Sequence, residues 1–442
     1  MVDRLVLGGA LLASAHDVLR AGWGVAIGGG DVVEVGPNDC LVSRFPDAAL
    51  LDARDLLIMP GFVDAHIHTY GVLAHGMPVS GVPDSFEGFL KGFWWPQVED
   101  RLDREMIRAA FRLTCANLIR SGVTSLCDVL EAPLIPDGAL DILAEELEAA
   151  GLRAVLSVEA SERHGVESGA RALAENVRFV RACRGEDRLR GMISLHTSFT
   201  CSAPFVESAK DCATALGCDL HLHLSESEYE PRECSIRYGT RPVFWYDRIG
   251  VWDSTVLASQ VVAVEDDEIR LLAERGVRVA HMPLSNCEVG GGIAPVPRML
   301  ECGLRPGLGS DGYITDMFQI MRGAFLLHKG AGRDPRVLPA PTVLAMAGVW
   351  GAAAIGFAGL GELKPGHPAD LIGVSMEFAT PLTQANVADQ IVVHGDAVGV
   401  DLVVADGRVL LSGGELIRED IDRLRHCVRE QAARLWQVGE HG

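Results

Sequence analysis

The sequence contains little positive charge and no long uncharged apolar run. Of its 442 residues, 39 are Lys or Arg and 60 are Asp or Glu, which gives a formal net charge of −21. Because a surface this acidic repels phosphate backbones and anionic lipids, we expect neither nucleic acid nor a membrane surface as a partner. Without about 18 consecutive apolar residues, no transmembrane helix is predicted. A small-molecule substrate is the expected partner.

Closely spaced cysteine pairs are also missing. The 11 cysteines are scattered from Cys40 to Cys427 without a Cys-x-x-Cys motif, and their number is odd. In a long chain this pattern is typical of reduced, mostly buried thiols, so it favours a cytoplasmic location. The apolar run at 5–15 resembles a signal peptide, but a single Arg beside Asp3 makes a weak charged region before it. We therefore interpret the run as a first strand and turn.

Both ends of the chain carry short β-type runs separated by turn signals such as Gly28-Gly29-Gly30-Asp31. The runs are residues 4–7, 24–27, 32–35, 369–374, 400–405 and 408–410. They predict a small β-sandwich built from residues 1–58 and 364–415. Apolar residues between Ile417 and Leu435 recur every three or four positions, which predicts a C-terminal helix within residues 416–442.

The middle of the chain alternates short apolar runs with longer amphipathic stretches. One such stretch follows Asp103, a candidate N-cap. The eight β-type runs are residues 57–64, 122–128, 153–159, 191–196, 218–224, 255–262, 277–283 and 304–310. Eight strand–helix units predict an α/β fold, a (β/α)₈ TIM-like barrel over residues 59–363. The active site of such a barrel lies at the C-terminal ends of its strands.

Three of the predicted barrel strands end in side chains that bind metals or move protons. They are His66 and His68 just after the first run, His221 and His223 within the fifth run with Glu226 just after it, and Asp311 just after the eighth run. Because side chains alternate along a strand, His66 and His68 point the same way, as two ligands of a divalent metal would. The spacing alone does not show whether His221, His223 or both face the site.

Five motifs resemble those of the amidohydrolase superfamily, in the branch of aminohydrolases and chlorohydrolases that includes guanine deaminase, S-adenosylhomocysteine deaminase and atrazine chlorohydrolase. The motifs are MPGFVDAHIH at 59–68, HLSE at 223–226, AHMPLSN at 280–286, GSDG at 309–312 and LKPGHPADL at 363–371. Residues 93–95 (FWW) and 315–318 (TDMF) also resemble the SsnA-type aminohydrolases. The resemblance covers nearly the whole chain.

The resemblance implies a metal site and a proton-transferring carboxyl group. His66, His68, His223 and Asp311 would hold one divalent ion, zinc or iron, and Glu226 would shuttle protons. A bound divalent ion lowers the pKa of its water toward neutrality. Asp311 would accept the proton of the attacking water, and Glu226 would protonate a ring nitrogen of the substrate.

One position departs from the pattern of the family. The strand after the HLSE motif usually ends in a histidine, but this chain has Gln260 there. Glutamine forms hydrogen bonds but does not titrate near neutral pH. His281, at the end of the next strand, is the nearest candidate to replace that histidine as a catalytic group. The alternative is that His281 is structural and orders the turn after it.

Several further residues are candidates for the substrate pocket. His196 matches the position of a substrate-contacting histidine in related deaminases. Trp94 and Trp95 lie in a long loop after the His66–His68 pair, and they either stack on a flat heterocycle or serve as core or oligomer contacts. Glu131 and Glu159 end predicted strands and either line the pocket or form ion pairs.

The leading hypothesis is a metal-dependent hydrolase of a non-peptide C–N bond in a small nitrogen heterocycle or amidine-like compound. Deamination by a metal-activated water is the default reaction. Gln260 raises an alternative, which is the hydrolysis of a cyclic amide or the displacement of another leaving group. A non-catalytic scaffold is the alternative from another class, but all four ligand positions are intact. Since relatives in this family are often dimers or larger, a homo-oligomer is a further expectation.

Overall fold

The computed structural model describes residues 1–79, 81 and 83–437. Its strands form two separate sheets of nine strands each. The strands are β1 Arg4–Leu11, β2 Arg20–Ala21, β3 Trp23–Gly28, β4 Asp31–Pro37, β5 Ala49–Pro60, β6 Phe62–Ile67, β7 Val123–Leu130, β8 Arg153–Ala160, β9 Leu189–Gly191, β10 Ile193–Leu195, β11 Leu220–Leu224, β12 Val256–Gln260, β13 Arg278–His281, β14 Gly307–Leu308, β15 Leu371–Ser375, β16 Val400–Ala405, β17 Arg408–Ser412 and β18 Glu415–Leu416.

Eight parallel strands form the predicted barrel. Their order is β6, β7, β8, β10, β11, β12, β13 and β14, with the short β9 paired to β8. The barrel is nearly closed, because β14 returns to β6 and the Ser310 amide donates to the His66 carbonyl over 3.1 Å. Apolar side chains such as Val63, Val129 and Leu257 fill the interior and form a packed floor.

The first predicted barrel strand, at 57–64, is divided between the two sheets. Residues up to Pro60 belong to β5, whereas β6 begins at Phe62. Gly61 joins them, and a Cβ atom at this position would lie 2.4 Å from the side chain of Thr124. The absence of a side chain therefore allows the chain to pass closely over the neighbouring strand as it enters the barrel.

The described residues form seventeen α-helices, most of which connect the barrel strands on the outside. They are α1 Asn38–Arg44, α2 Phe86–Phe89, α3 Trp95–Gln97, α4 Arg104–Arg120, α5 Ala139–Ala150, α6 Val166–Ala182, α7 Ala203–Leu216, α8 Tyr229–Tyr238, α9 Pro242–Arg248, α10 Asp266–Glu274, α11 Ser285–Glu288, α12 Val296–Glu301, α13 Met317–Gly332, α14 Ala340–Ala347, α15 Val349–Ala354, α16 Val387–Asp389 and α17 Ile421–Gln437. Helix α4 begins as predicted, because the Asp103 carboxylate accepts from the Met106 amide at 2.9 Å.

The second sheet unites both ends of the chain, as expected. Its order is β18-β17-β16-β15-β5-β1-β3-β4, with β2 paired to β1. The sheet curls, so that Val6 and Val25 of the first strands share one apolar core with Leu402 and Val404 of the last. A second core forms on the other face around Leu41.

The last helix is shorter than the apolar pattern indicated. Helix α17 begins at Ile421 and packs on α4 through Leu424, Val428 and Leu435. Ile417 lies before the helix with 55% of its surface exposed, so its inclusion in the apolar face was wrong. No helix within the described residues is long and apolar enough to cross a membrane.

Candidate active site

The candidate site lies where the barrel strands end, and the backbone there is unusual. Ser225, Gln260 and Asp311 follow or end strands β11, β12 and β14 with left-handed φ angles of 49°, 73° and 60°. Non-glycine residues rarely adopt this conformation, and it persists where surrounding contacts impose it. The turns direct polar side chains from three strands into one place at the barrel mouth.

Four side chains converge at this mouth. The Asp311 Oδ1 atom lies 3.1 Å from His66 Nε2 and 3.4 Å from His68 Nε2. The Nε2 atoms of His68 and His223 are 3.3 Å apart. His66, His68 and His223 thus present their ring nitrogens as one buried group with the spacing that a metal ion requires. These are the four residues for which the resemblance implied ligand roles.

The chemistry of these atoms fits a divalent metal. His68 Nδ1 donates to the Val129 carbonyl at 2.7 Å, so its Nε2 keeps a free lone pair facing that of His223. His66 Nε2 and Asp311 Oδ1 are buried and have no hydrogen-bond partner. Burial lowers the pKa of His66 and His223, which keeps both rings neutral and able to bind a cation. A divalent ion would satisfy all these atoms at once.

Asp311 is held as an anion despite its burial. Burial raises the pKa of this carboxyl group, but its contacts with His66, His68 and Ser285 outweigh burial and keep the pKa below its usual range. Its second oxygen, Oδ2, accepts hydrogen bonds from the Ser285 hydroxyl at 2.5 Å and the Gln260 amide at 3.2 Å. Sequence reasoning missed Ser285, although it belongs to the motif at 280–286.

Glu226 lines the cavity above this cluster. Burial raises the pKa of its carboxyl group well above the usual range, and the nearby charges of Asp311 and Glu131 act in the same direction. A raised pKa favours the protonated form of the carboxyl group, which is able to donate a proton to a substrate.

The two histidines whose roles the sequence left open lie outside the converging group. His281 Nε2 forms a 3.1 Å hydrogen bond with His328 Nε2 on α13, and His281 does not line the cavity. The structure therefore places it as a packing partner of α13 and not beside Asp311. His221 lies below His66, with ring centroids 5.0 Å apart, and its Nδ1 contacts the Ser194 hydroxyl at 2.9 Å.

A cavity of about 340 Å³ opens over the four converging residues. Its lining includes the candidates Trp94, Trp95 and His196. The Trp95 and His196 rings lie 6.0 Å apart, and Trp94 stacks on Phe89 at 5.6 Å. The aromatic residues thus form one wall, opposite the polar floor.

A network of carboxyl groups lies beside the four converging residues. The sequence indicated two of its members, Glu131 and Glu159. Glu131 Oε1 is 3.8 Å from His68 Nε2, and Glu159 Oε2 is 3.5 Å from His223 Nδ1. Glu131 accepts a hydrogen bond from the Tyr70 hydroxyl. Glu99, which no sequence signal identified, completes the network. Burial raises the pKa of Glu99 and Glu159 well above the usual range, and the neighbouring charge of Glu131 acts in the same direction.

Comparison with known proteins identifies the family. Residues 57–410 match the model of the Amidohydrolase family. The chain is 33% identical to 5-methylthioadenosine/S-adenosylhomocysteine deaminase of Pelotomaculum thermopropionicum, over 98% of this chain and 99% of the other. It is 34% identical to 5'-deoxyadenosine deaminase of Methanosarcina mazei, over 93% and 94% of the two chains. The chain therefore belongs to the amidohydrolase family and is a hydrolase of C–N bonds other than peptide bonds.

Solved structures agree with this assignment. An adenosine deaminase from Xanthomonas campestris with bound zinc matches with a TM-score of 0.90 and 26% identity, over 98% of both chains. Atrazine chlorohydrolase of Arthrobacter aurescens complexed with zinc matches with a TM-score of 0.84 over 97% of this chain and all of the other. At 20% identity, the second match shows the shared fold alone. Neither alternative to C–N hydrolysis of a heterocycle gains support from these relatives.

Proposed function

We propose that the protein is a metal-dependent deaminase that releases ammonia from an amino-substituted nitrogen heterocycle. The observation that carries the proposal is the convergence of His66, His68, His223 and Asp311, with unpartnered atoms on His66 and Asp311, beneath an aromatic-walled cavity that contains Glu226. The relatives named as deaminases of adenosine compounds make an adenine-type ring the first substrate class to test.

The residues of the chain divide the chemical work as follows. The three histidines and Asp311 would hold a divalent ion, which would acidify a bound water toward neutral pH. Asp311 would accept a proton of the attacking water and pass it to the amino group, which leaves as ammonia, while Ser285 and Gln260 hold Oδ2 in place. Glu226 donates its proton to a ring nitrogen and thereby makes the adjacent carbon more electrophilic. The aromatic wall orients the flat ring and excludes water from its face.

Zinc is the ion that we propose in place of iron. Both solved relatives carry zinc, and a set of three histidines and one carboxylate suits that metal. We also propose the cytoplasm as the location, because all 11 cysteines are free thiols and 5 of them are buried. The proposed domain division is residues 1–58 with 364–415, residues 59–363 and residues 416–442.

The test combines metal content and ammonia release on one preparation. We expect about one zinc per chain by plasma mass spectrometry and ammonia from at least one purine, pterin, pyrimidine or triazine. His66→Gln should lose both the metal and the activity. His426→Gln, in the exposed part of α17, is the matched histidine control and should retain both. Zinc-loaded protein that releases no ammonia from any of these rings would overturn the proposed reaction.

A further inference from the structure

The orientation of the Gln260 side chain is fixed by its neighbour. Gln260 Nε2 lies 3.2 Å from Asp311 Oδ2. An ionised carboxylate only accepts hydrogen bonds, so the amide must direct its NH₂ group to Asp311 and its carbonyl oxygen elsewhere. That oxygen, Oε1, is buried and has no hydrogen-bond partner within the described residues. Gln260 is 1% exposed and lines the cavity, so a ligand in the cavity is the available donor.

The backbone holds this acceptor in place. Gln260 and Val261 both have left-handed φ angles, 73° and 51°, and the second is a β-branched residue that strongly disfavours this conformation. The Val261 amide donates to the Leu224 carbonyl at 2.9 Å and so ties this turn to the end of strand β11. The Gln260 acceptor is therefore preorganised before any substrate arrives.

A second buried acceptor lies on the opposite side of the barrel mouth. Glu131 follows β7, the second barrel strand, whereas Gln260 ends β12, the sixth. In a closed ring of eight strands, the second and sixth strands are diametrically opposed. The Glu131 side chain is 7% exposed, lines the cavity, and has one oxygen held by the Tyr70 hydroxyl. Its other oxygen, Oε1, is the one that lies near His68.

Away from the proposed metal site, the lining of the cavity is rich in carboxyl groups. These are Glu99, Glu131, Glu226 and Glu288. No Lys or Arg is among the described residues that line the cavity. Arg163 lies behind Glu99, 2.7 Å from its carboxylate, and is also outside the lining. The part of the cavity away from the metal site therefore repels phosphate and carboxylate groups and attracts hydrogen-bond donors.

We propose that the substrate is a heterocycle with at least two N–H donor groups, of the amidine or guanidine type, held between Gln260 and Glu131. Gln260 Oε1 accepts from the reacting amino group, and Glu131 accepts from a second amino group across the ring. The inference rests on the proposed function and names the substrate class of the same site. It gives Gln260 a role of its own in binding the substrate.

The Glu131 half of the proposal is tested with two purines that differ by one amino group. We expect kcat/KM for 2,6-diaminopurine riboside to exceed that for adenosine by about tenfold or more, the usual effect of a hydrogen bond to a charged group. Glu131→Gln should bring the ratio close to one. Glu207→Gln removes the same charge from the exposed face of α7, outside the cavity lining, and should leave the ratio unchanged. A wild-type ratio near one, or equal effects of both variants, would overturn the proposal.

The Gln260 half is tested through the leaving group. Adenosine has N–H donors at the reacting carbon, whereas 6-chloropurine riboside has none. Gln260→Met keeps the length of the side chain but removes the acceptor. It should lower kcat/KM for adenosine at least about tenfold more than that for the chloro compound. Equal losses for the two compounds would show that Gln260 does not contact the amino group.

Equilibrium binding separates failure of the inference from failure of the proposed function. If the zinc-loaded protein turns over none of these compounds, the proposed function fails. Calorimetry with 2,6-diaminopurine and unsubstituted purine then still tests the inference. Binding of the diamino compound at least tenfold tighter, with the difference lost in Glu131→Gln, supports the two acceptors; equal affinities overturn them. Deamination without any preference for the second amino group leaves the function in place and rejects the inference.

Discussion

Strand β8 carries a buried charged residue at each of its ends, and the two ends differ in how those charges are satisfied. At its start, Arg153 donates from Nε to both oxygens of Asp370 at 3.1 Å and from Nη2 to Asp406 at 2.8 Å. The Asp406 amide donates back to Asp370 at 2.9 Å. This network joins the barrel to the sheet formed by the chain ends, and it leaves no buried side-chain atom of the three residues unpartnered.

At the other end of β8, Glu159 faces a cluster in which partners are missing. Glu159 Oε2, His223 Nδ1, His66 Nε2, Gln260 Oε1 and Asp311 Oδ1 are all buried without a hydrogen-bond partner. A buried polar group without a partner destabilises the fold. The Arg153 network at the start of β8 therefore stabilises the protein. The cluster around Glu159 at the other end instead has unpartnered atoms that are available to bind a metal ion and a substrate. Changes at the two ends should consequently be seen in different measurements.

The largest effect should follow the loss of the Asp311 carboxylate from the candidate active site. Asp311→Ala removes a proposed metal ligand and proton acceptor, so we expect bound metal to disappear and kcat/KM to fall by about 10⁴-fold. Thermal unfolding of the metal-free variant should stay close to that of the metal-free wild type, because the loss of the Ser285 and Gln260 hydrogen bonds to Oδ2 is offset by removal of the buried, unpartnered Oδ1. Metal content and activity at wild-type levels would contradict the site assignment.

Loss of the Arg153 cation should instead lower stability and leave the candidate active site unchanged. Arg153→Met leaves Asp370 buried and unpaired, which should reduce the free energy of unfolding by about 3–5 kcal/mol. Zinc content per folded chain and kcat should remain near wild type. The double variant Arg153→Met/Asp370→Leu should regain part of the stability, since an apolar pair replaces the uncompensated charge. Denaturant unfolding with a loss below about 1 kcal/mol would show that the network contributes little.

A smaller effect should come from Glu159, which lies beside the Nδ1 atom of His223, a proposed metal ligand. Its carboxyl group lies 3.5 Å from His223 Nδ1 and thus favours the orientation in which Nε2 faces the metal. Loss of such a partner typically lowers metal affinity about 10- to 100-fold. Glu159→Ala should show this in a chelator competition, with one metal per chain still bound at saturation. Unchanged affinity would mean that His223 is oriented by packing alone.

The smallest effect concerns pH and the His281–His328 pair. Burial lowers the pKa of His328 to about 4 and that of His281 well below its usual value. Between pH 6.5 and 4 the folded state thus binds fewer protons than the unfolded state, so stability is fully present above pH 6.5 and is lost as the pH falls. His328→Gln should flatten this slope by about 1 kcal/mol per pH unit. Thermal unfolding of the metal-free proteins at pH 7 and pH 5.5 provides the measurement.

The sequence predicted the barrel and the converging residues well, for a simple physical reason. Period-two alternation at His66-Ile67-His68 and an apolar run before Asp311 are local properties, and parallel strands bring their ends together. Alternation also places His221 and His223 on one face, but it does not reveal depth. His221 lies one layer lower, against Ser194, because the barrel stacks inward side chains in layers.

Contacts made by connecting segments were not predictable in this way. Glu99 enters the network from a short 3-10 turn, Glu99–Arg101, before α4, where no periodic pattern fixes the direction of a side chain. His281 is paired with His328, which is 47 positions away on α13, so the sequence did not reveal this contact. The orientation of Gln260 likewise depends on Asp311, which belongs to a different strand.

The shared sheet also determines the order in which a growing chain can fold. Strand β5 pairs with β15, but about 310 residues separate Pro60 from Leu371. At typical synthesis rates this interval lasts roughly 15–60 s. During that time the apolar edge of β5 at 56–59 has no partner on one side, and unpaired strand edges promote aggregation. The first strands made are therefore among the last to be completed, because the free edge of β5 has no partner until residues Leu371–Ser375 have been synthesised.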